Sequence, residues 1–161
     1  GNDKVWGGTG DDDVNAGNGN DTVYGGRGDD KLIGGNGHDS VYGGQHNDVV
    51  SGWGGNDNLF GGDGNDRLYG NQGNDDMFGG SGNDKLYAST GNDELHGGSG
   101  RDTINGGAGQ DNVWGDSGDD TFEFKNGDLV DWDNLSGDVE QRSDKLDVIE
   151  DFQAKICQNL I

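Results

Sequence analysis

A nine-residue period runs through this chain from Gly1 to Glu123. Written in lines of nine, the sequence aligns without an insertion over fourteen lines, of which the first lacks three residues. The sixth position is aspartate in every line, and the eighth position is always apolar. A fixed period of this kind is the signature of a repeat architecture, in which each unit packs only on its neighbours. We therefore expect a stack of similar units.

The apolar content is too low for an ordinary core. Only 27% of the 161 residues are hydrophobic, 36 are glycine, none is proline, and the formal net charge is −22. Such a composition is typical of disordered chains, because little apolar burial opposes a large ordering entropy and self-repulsion. The single cysteine, Cys157, excludes an internal disulfide framework. A bound ligand must supply the missing stabilisation, and the acidic balance favours cations and argues against nucleic acid.

Glycine dominates the first four positions of the repeat. The fourth position is glycine in every line except the sixth, where it is His46. Glycine permits positive φ and close backbone approach, so successive carbonyl oxygens can turn toward one point beside the aspartate. The next three residues are enough for a short strand whose apolar middle residue points inward. Two lines then form one coil, with odd lines stacked on one edge and even lines on the other.

Stacking places the aspartates of each edge in a column with a spacing of about 4.8 Å. Two carboxylates at this distance repel by roughly 3–4 kcal/mol at an effective dielectric constant of about 20. A hard cation with about six to eight oxygen ligands removes this conflict, and Ca²⁺ tolerates an irregular cage better than Mg²⁺ does. The columns therefore predict calcium sites, and without calcium we expect the chain to be disordered.

The unit G-G-x-G-x-D-x-U-x, in which U is apolar, resembles the nonapeptide of the repeats-in-toxin (RTX) calcium-binding proteins. The resemblance implies an all-β fold, a right-handed parallel β-roll of about seven two-strand coils over residues 1–123. It also implies that each ion lies between turns two lines apart and that each interior aspartate bridges two ions. One such site combines Gly8, Gly10 and Asp12 with Gly25, Arg27 and Asp30. We expect about eleven complete Ca²⁺ sites.

The ligands implied by the resemblance are of two kinds. The side-chain ligands are the aspartates of the sixth position: Asp3, Asp12, Asp21, Asp30, Asp39, Asp48, Asp57, Asp66, Asp75, Asp84, Asp93, Asp102, Asp111 and Asp120. The backbone ligands are carbonyl oxygens of the first four positions: Gly8, Gly10, Gly17, Gly19, Gly25, Gly26, Arg27, Gly28, Gly34, Gly35, Asn36, Gly37, Gly43, Gly44, Gln45, Gly52, Gly54, Gly55, Gly61, Gly62, Asp63, Gly64, Gly70, Gln72, Gly73, Gly79, Gly80, Ser81, Gly82, Thr90, Gly91, Gly97, Gly98, Ser99, Gly100, Gly106, Ala108, Gly115 and Ser117. Substituted glycines, at which a Cβ resists positive φ, predict weaker sites: His46, Trp53, Asn71, Ser89 and Asp116.

Other chemistry finds no support in the sequence. His38 and His96 lack the spacing of a zinc site, and we interpret them as surface residues and His46 as a turn residue. No serine–histidine–acid arrangement and no phosphate-binding loop is recognisable, so we do not expect an enzyme. No apolar run is long enough to span a bilayer, and no charged segment followed by a short apolar one marks a cleaved signal.

The ninth position carries a ring in every odd line: Trp6, Tyr24, Tyr42, Phe60, Phe78, His96 and Trp114. The even lines carry Asn15, Ile33, Ser51, Tyr69, Tyr87, Asn105 and Glu123. We therefore expect a continuous ladder of outward rings on one sheet and a partial one on the other. Two interpretations stay open. The rings stabilise adjacent strands by up to about 1 kcal/mol per pair, or they form a face that binds a polysaccharide, a partner domain or another copy.

The period stops at Phe124, and residues 124–161 are predicted to form a C-terminal cap. Glycine becomes rare there, and apolar anchors appear: Trp132, Leu135, Val139, Leu146, Val148, Ile149 and Phe152. An open end of the stack would expose the core and an unpaired strand edge. The stretches DDTFEFKNGD and DKLDVIEDF are similar to segments that close many members of the family, whereas QAKICQNLI is not recognisable as a closing strand.

The resemblance and the aromatic face together leave three functional hypotheses. The first is a module that folds on binding calcium, within a larger protein that a type I system secretes unfolded into the calcium-rich exterior. The second is an adhesive or polysaccharide-binding rod that uses the aromatic face. The third is the accessory module of a secreted protease, lipase or alginate epimerase. Because the chain starts in mid-repeat at Gly1, we expect it to be an excerpt of an extracellular protein.

Overall fold

A computed structural model describes residues 1–123 and the backbone of residues 148–150. Within these ranges the regular elements are all β-strands, and no helix that could cross a membrane is present. The strands are β1 (Lys4–Thr9), β2 (Asp13–Asn18), β3 (Thr22–Arg27), β4 (Lys31–Asn36), β5 (Ser40–Gln45), β6 (Val49–Gly54), β7 (Asn58–Asp63), β8 (Arg67–Gln72), β9 (Asp76–Ser81), β10 (Lys85–Thr90), β11 (Glu94–Gly100), β12 (Thr103–Asn105), β13 (Asn112–Gly118), β14 (Thr121–Glu123) and β15 (Val148–Glu150).

Alternate strands belong to two different parallel sheets. The odd sheet has seven strands in the order β1-β3-β5-β7-β9-β11-β13, and the even sheet has eight in the order β15-β14-β12-β10-β8-β6-β4-β2. Neighbouring strands from β1 to β14 pair residues two lines apart, as in Leu59 with Met77. Two lines of nine therefore make one coil. The predicted parallel roll of about seven coils, with odd and even lines on separate sides, is confirmed.

The strands are longer than the three residues that the sequence predicts. Most have six residues, because they continue through the first three positions of the next line, as in β7 with the sequence NLFGGD. Gly62, the second glycine of its line, has a φ of 116° and still pairs in register with Gly44. Glycine reaches this conformation without a steric penalty, so the ladder continues past it. The turn contracts to the three remaining positions.

The apolar residues of the eighth position form one core between the two sheets, to which odd lines contribute from one sheet and even lines from the other. We call these residues the core file. Those from β3 to β14 are at most 6% exposed: Val23, Leu32, Val41, Val50, Leu59, Leu68, Met77, Leu86, Leu95, Ile104, Val113 and Phe122. Residues on either side of each apolar residue point outward, because side chains alternate along a strand. The predicted inward and outward positions are therefore confirmed. One apolar residue for every nine is a thin core, and the remaining interior is filled by glycine and aspartate.

Five residues other than glycine adopt positive φ, and they are the five that replace a glycine at the second or fourth position. The φ angles are 84° for His46, 87° for Trp53, 78° for Asn71, 84° for Ser89 and 64° for Asp116. Such a conformation costs an L-residue roughly 1–2 kcal/mol. The repeat therefore imposes its backbone geometry even where the side chain opposes it. That these residues weaken the adjacent ion sites stays a prediction.

The predicted ring ladder is present on the outer face of the odd sheet. Consecutive ring centroids lie 5.9, 4.9, 4.7, 5.2, 5.1 and 4.3 Å apart from Trp6 to Trp114, with interplanar angles of 11° or less. On the even sheet the partial ladder is the pair Tyr69 and Tyr87, at 5.6 Å. The rings stack face to face along the roll, so each interior ring presents only its edge to solvent.

The predicted cap lies largely outside the described residues. Its one described part is β15, which pairs in parallel with β14 and aligns Ile149 with Phe122. The strand β14 is therefore not the edge of the even sheet. Residues 124–147 and 151–161, with Cys157 among them, are outside the described ranges, so the cap stays a prediction.

Replacement of Tyr42 and Phe60 together by threonine tests the role of the ladder. Threonine keeps strand propensity but removes two adjacent rings, each of which contacts rings on both faces. We expect the free energy of unfolding in calcium to fall by about 1–3 kcal/mol. Chemical denaturation followed by circular dichroism measures this. The matched control replaces Ser40 and Asn58, at the seventh position of the same strands, by threonine. Equal stability of the ring variant and this control would contradict a structural role.

Candidate calcium sites

The aspartates of the sixth position are buried inside the turns. The interior carboxyl residues are at most 3% exposed: Asp21, Asp30, Asp39, Asp48, Asp57, Asp66, Asp75, Asp84, Asp93, Asp102 and Asp120. Asp12 and Asp111 are half-buried, and Asp3 at the N-terminal end is exposed. Among the described residues, no lysine or arginine forms a salt bridge with a buried aspartate from Asp21 to Asp102. Buried carboxylates without a cation are costly, so these columns need a further partner.

Each aspartate uses one carboxylate oxygen to join successive coils. The backbone N–H of Asp48 donates to Oδ1 of Asp66 at 2.7 Å, and that of Asp66 donates to Oδ1 of Asp84 at 2.8 Å. Twelve such bonds link the sixth positions of the described turns, always from one coil to the next along the chain. Oδ1 is thus a structural acceptor.

The second carboxylate oxygen is buried and has no hydrogen-bond partner. This holds for Oδ2 of eleven aspartates: Asp12, Asp21, Asp30, Asp39, Asp48, Asp57, Asp66, Asp75, Asp84, Asp93 and Asp102. A buried polar atom without a partner loses its hydration and gains nothing in return. The same orphaned atom recurs in eleven of the fourteen lines, and a carboxylate oxygen in this state suits a cation.

Backbone carbonyls converge on the same space as the orphaned oxygens. A Cβ added at Gly61 would lie 2.5 Å from Oδ2 of Asp66 and 2.5 Å from the carbonyl oxygen of Gly79 in the next coil. The equivalent point at Gly43 lies 2.5 Å from Oδ2 of Asp48 and 2.5 Å from the carbonyl oxygen of Gly61. A Cβ cannot lie this close to two oxygen atoms, so only glycine lets the carboxylate and the carbonyl approach each other at this position. The first glycine of the repeat thus leaves a cradle that a side chain would fill.

The structure brings together some of the ligands of the site that we predicted around Asp12 and Asp30. A Cβ at Gly7 would contact both Oδ2 of Asp12 and the carbonyl oxygen of Gly25, at 2.7 Å for the latter. The carbonyl of Arg27 accepts the N–H of Gly10 at 2.7 Å, so one of its lone pairs is already engaged. Asp30 supplies Oδ1 to the N–H of Asp12 at 2.9 Å and keeps Oδ2 free. The ligand set as a whole stays a prediction.

Two lines have alanine instead of glycine at the first position, a difference that the sequence analysis did not single out. Ala88 and Ala16 occupy the first position of their lines, where the other described turns have glycine. The methyl group of Ala88 is fully buried beside the core file. It takes the place of the open space beside the aspartate of its own line, Asp93. These turns therefore offer less room to an ion than turns that begin with glycine.

Burial raises the pKa of the column aspartates from Asp30 to Asp102 above the ordinary value of 3.8. The pKa is raised to about 7 for Asp48, Asp57, Asp84 and Asp93, with burial as the largest cause. The backbone hydrogen bond to Oδ1 lowers the pKa, and the neighbouring aspartates of the column raise it further. The burial effect wins, because one N–H donor does not replace the hydration of two carboxylate oxygens. The columns thus favour neutralisation, by a proton or by a cation.

A second ladder at the fifth position was not predicted from the sequence. The backbone N–H of Asn65 donates to Oδ1 of Asn47 at 2.9 Å, and that of Asn83 donates to Oδ1 of Asn65 at 2.8 Å. This ladder points back along the chain, opposite in direction to the aspartate ladder. His38 takes part through Nδ1, which accepts the N–H of Asn56 at 2.9 Å. The recurrence of asparagine at the fifth position is the sequence signal from which this ladder could have been predicted.

The histidines are not grouped with other metal-binding side chains. Across residues 1–123 no cluster of three or more histidine, cysteine, aspartate or glutamate side chains is suited to a metal ion. His96 is half-buried in the ring ladder and contacts Asp116 through Nδ1 at 3.2 Å and Glu94 through Nε2 at 3.4 Å. His96 is therefore a member of the ring ladder, as its ninth position predicts, and it is less exposed than the surface residue that we also predicted. Oxygen cages built from carbonyls and paired carboxylates suit calcium better than zinc.

Comparison with known proteins agrees with this geometry. The model of the RTX calcium-binding nonapeptide repeat matches the chain in four copies, over residues 1–23, 24–59, 54–86 and 87–122. No curated protein matches the chain. The four copies span the strands from β1 to β13, most of β14 and all eleven aspartates with an orphaned Oδ2. The chain therefore belongs to the family of RTX proteins with calcium-binding nonapeptide repeats.

Proposed function

We propose that this chain is a module whose folding is triggered by calcium. The observation that carries the proposal is the buried, orphaned Oδ2 of eleven aspartates, seven of which lie beside a position that a carbonyl oxygen of the next coil also borders. When bound, Ca²⁺ supplies positive charge and accepts oxygen ligands at these points. The chain itself contributes the carboxylates, the carbonyls and the glycines that leave room.

The thin core explains why folding depends on the ligand. From the third line onward the file of apolar residues adds one buried side chain per line, and all but one of these lines also bury a carboxylate. Ligand binding to the folded state adds its free energy to stability, and a site built from two coils is absent in the unfolded chain. The calcium concentration thereby sets whether the roll or the disordered chain is populated.

We further propose that the module belongs to a larger protein that a type I system secretes. Membership of the RTX family supports this, as does a folding equilibrium set by a cation that is scarce in the cytoplasm and plentiful outside. A chain that stays unfolded inside the cell suits export through a narrow channel. An accessory role beside a secreted protease, lipase or alginate epimerase fits the same scheme, in which we expect the module itself to have no catalytic role.

The adhesive alternative through the odd face receives less support. Sugar rings bind aromatic side chains through exposed ring faces, and the interior rings of the ladder cover one another at 4.7–5.2 Å. The structure of the ladder favours a role as scaffold over polysaccharide binding or self-association through this face.

Asparagine substitutions at Asp66 and Asp63 separate the cage from general charge. In Asp66→Asn, Oδ1 keeps the hydrogen bond from Asp48, while Nδ2 replaces the orphaned oxygen and cannot bind a cation. We expect the calcium midpoint of folding to rise on the order of tenfold. Asp63 is exposed on β7, and its asparagine variant removes the same charge but should leave the midpoint nearly unchanged. Equal shifts in calcium titrations of the two variants would contradict the cage.

The raised pKa values predict that acid partly replaces calcium. Because the pKa of Asp48 and Asp84 in the roll is about 7, against 3.8 ordinarily, the calcium-free roll binds protons that the unfolded chain does not bind. Its stability is therefore lost as the pH rises through 7 and grows as the pH falls toward 4. Calcium-stripped protein should gain β structure in circular dichroism between about pH 8 and about pH 5. An unchanged spectrum over this range would show that the columns do not control folding.

A further inference from the structure

Trp53 is exposed in the middle of a sheet. It lies on β6, between β4 and β8, and 59% of its surface is exposed. The other large exposed apolar residue in the described part of the chain is Trp6, which lies on β1 at the end of the odd sheet. An end position accounts for the exposure of Trp6, but not for that of Trp53. A bare indole on a central strand needs another explanation.

The backbone at Trp53 is strained, and the strain continues on two neighbouring strands. Trp53 has a φ of 87° at a position that requires glycine geometry, and its register partner Asn71 on β8 and then Ser89 on β10 share the departure. On the odd sheet the same position is glycine in every described strand except β13, which has Asp116. Strained residues persist where their side chains have a role, so this cluster points to function.

Two cations without an ion pair in the described part of the chain lie on the same strands as Asn71 and Ser89, about 13 Å away at the opposite strand ends. Arg67 and Lys85 point outward from β8 and β10, are register partners, and form no ion pair within the described ranges. Lys31 on β4, in contrast, pairs with Asp13 at 3.6 Å. Two like charges directly opposite each other destabilise a sheet. In a chain with a net charge of −22, this pair is an isolated positive surface that fits an anionic ligand.

The neighbouring side chains define the class of ligand. Tyr69 and Tyr87 stack at 5.6 Å next to the two cations. Asn71 donates to Ser51 Oγ at 3.1 Å, which fixes its amide on the outer face. An exposed indole plane suits the apolar face of a sugar ring, the cations suit carboxylate or sulfate groups, and the amide suits hydroxyl groups.

We propose that this surface binds an anionic polysaccharide. The Trp53 face consists of Trp53, Arg67, Tyr69, Asn71, Lys85 and Tyr87 and extends about 13 Å along the strands and about 10 Å across three of them. A short run of sugar rings covers such an area. On the opposite face of the roll the acidic residues Asp76 and Glu94 are register partners, so the middle of that face repels an anionic chain.

Calorimetric titration of the full calcium-loaded chain tests the proposal. The probes are a short oligogalacturonide, a heparin-derived oligosaccharide and a neutral dextran oligosaccharide. We expect the acidic probes to bind and the dextran to bind weakly or not at all. Binding of the oligogalacturonide alone assigns carboxylate specificity, and binding of the heparin fragment alone assigns sulfate specificity. Equal binding of all three, or binding of none, would overturn the proposal.

Trp53→Gly is the decisive variant because it relieves strain while it removes the indole. Its affinity for the acidic probe should fall roughly tenfold, whereas its thermal stability in calcium should not fall. His46→Gly restores a motif glycine in a turn outside this face and should leave the affinity unchanged. Unchanged affinity in Trp53→Gly would refute the assigned face. Circular dichroism of the same samples separates loss of binding from loss of fold.

Charge variants provide a second test of the proposal. Replacement of both Arg67 and Lys85 by glutamine should abolish the preference for acidic over neutral probes, while Lys31→Gln, which removes a paired cation, should keep it. Sedimentation of the protein alone adds one more outcome. Calcium-dependent self-association that Trp53→Gly abolishes, without binding of any oligosaccharide, would assign the face to a second copy of the chain and overturn the proposal.

Discussion

Repulsion and desolvation within two columns of buried aspartates dominate the energetics of this roll. The period puts one carboxylate in each turn, and stacking brings it beside the carboxylates of the coils above and below. Only Oδ1 is satisfied from within the protein, by the N–H of the preceding coil, as in Asp48 and Asp66. The raised pKa values express the resulting cost. The other features of the fold either accommodate the unfavourable burial of these carboxylates or leave room for the cation that would neutralise them.

Glycine has two separate roles in that preparation. At the second and fourth positions it adopts positive φ, and the substituted residues, such as Trp53 and His46, are forced into the same conformation. At the first position its φ is ordinary, and what matters is the missing Cβ, whose place lies between a carboxylate oxygen and a carbonyl of the next coil. Substitution at the first position therefore affects the ion site directly, whereas substitution at the second affects the backbone.

The sequence predicted the parts of the structure that follow from the period. Two lines per coil, the separation of odd and even lines, the inward file from Val23 to Phe122 and the ring ladder are all consequences of repeating positions. The strand length was predicted too short, because glycine usually ends a strand and here continues it. The reversed ladder at the fifth position and the filled cradle at Ala88 depend on the directions of N–H and Cβ bonds. Those directions follow from the backbone path, which the composition of the repeat does not specify.

Circular dichroism with chelator and then with calcium tests the central claim most directly. The account predicts a disordered spectrum in chelator near neutral pH, because the ionised columns outweigh the thin core. Millimolar calcium should then produce a cooperative gain of β structure that magnesium at the same concentration does not produce. A β spectrum that chelator leaves unchanged would contradict the account, since the roll would then be stable with its buried carboxylates unpaired.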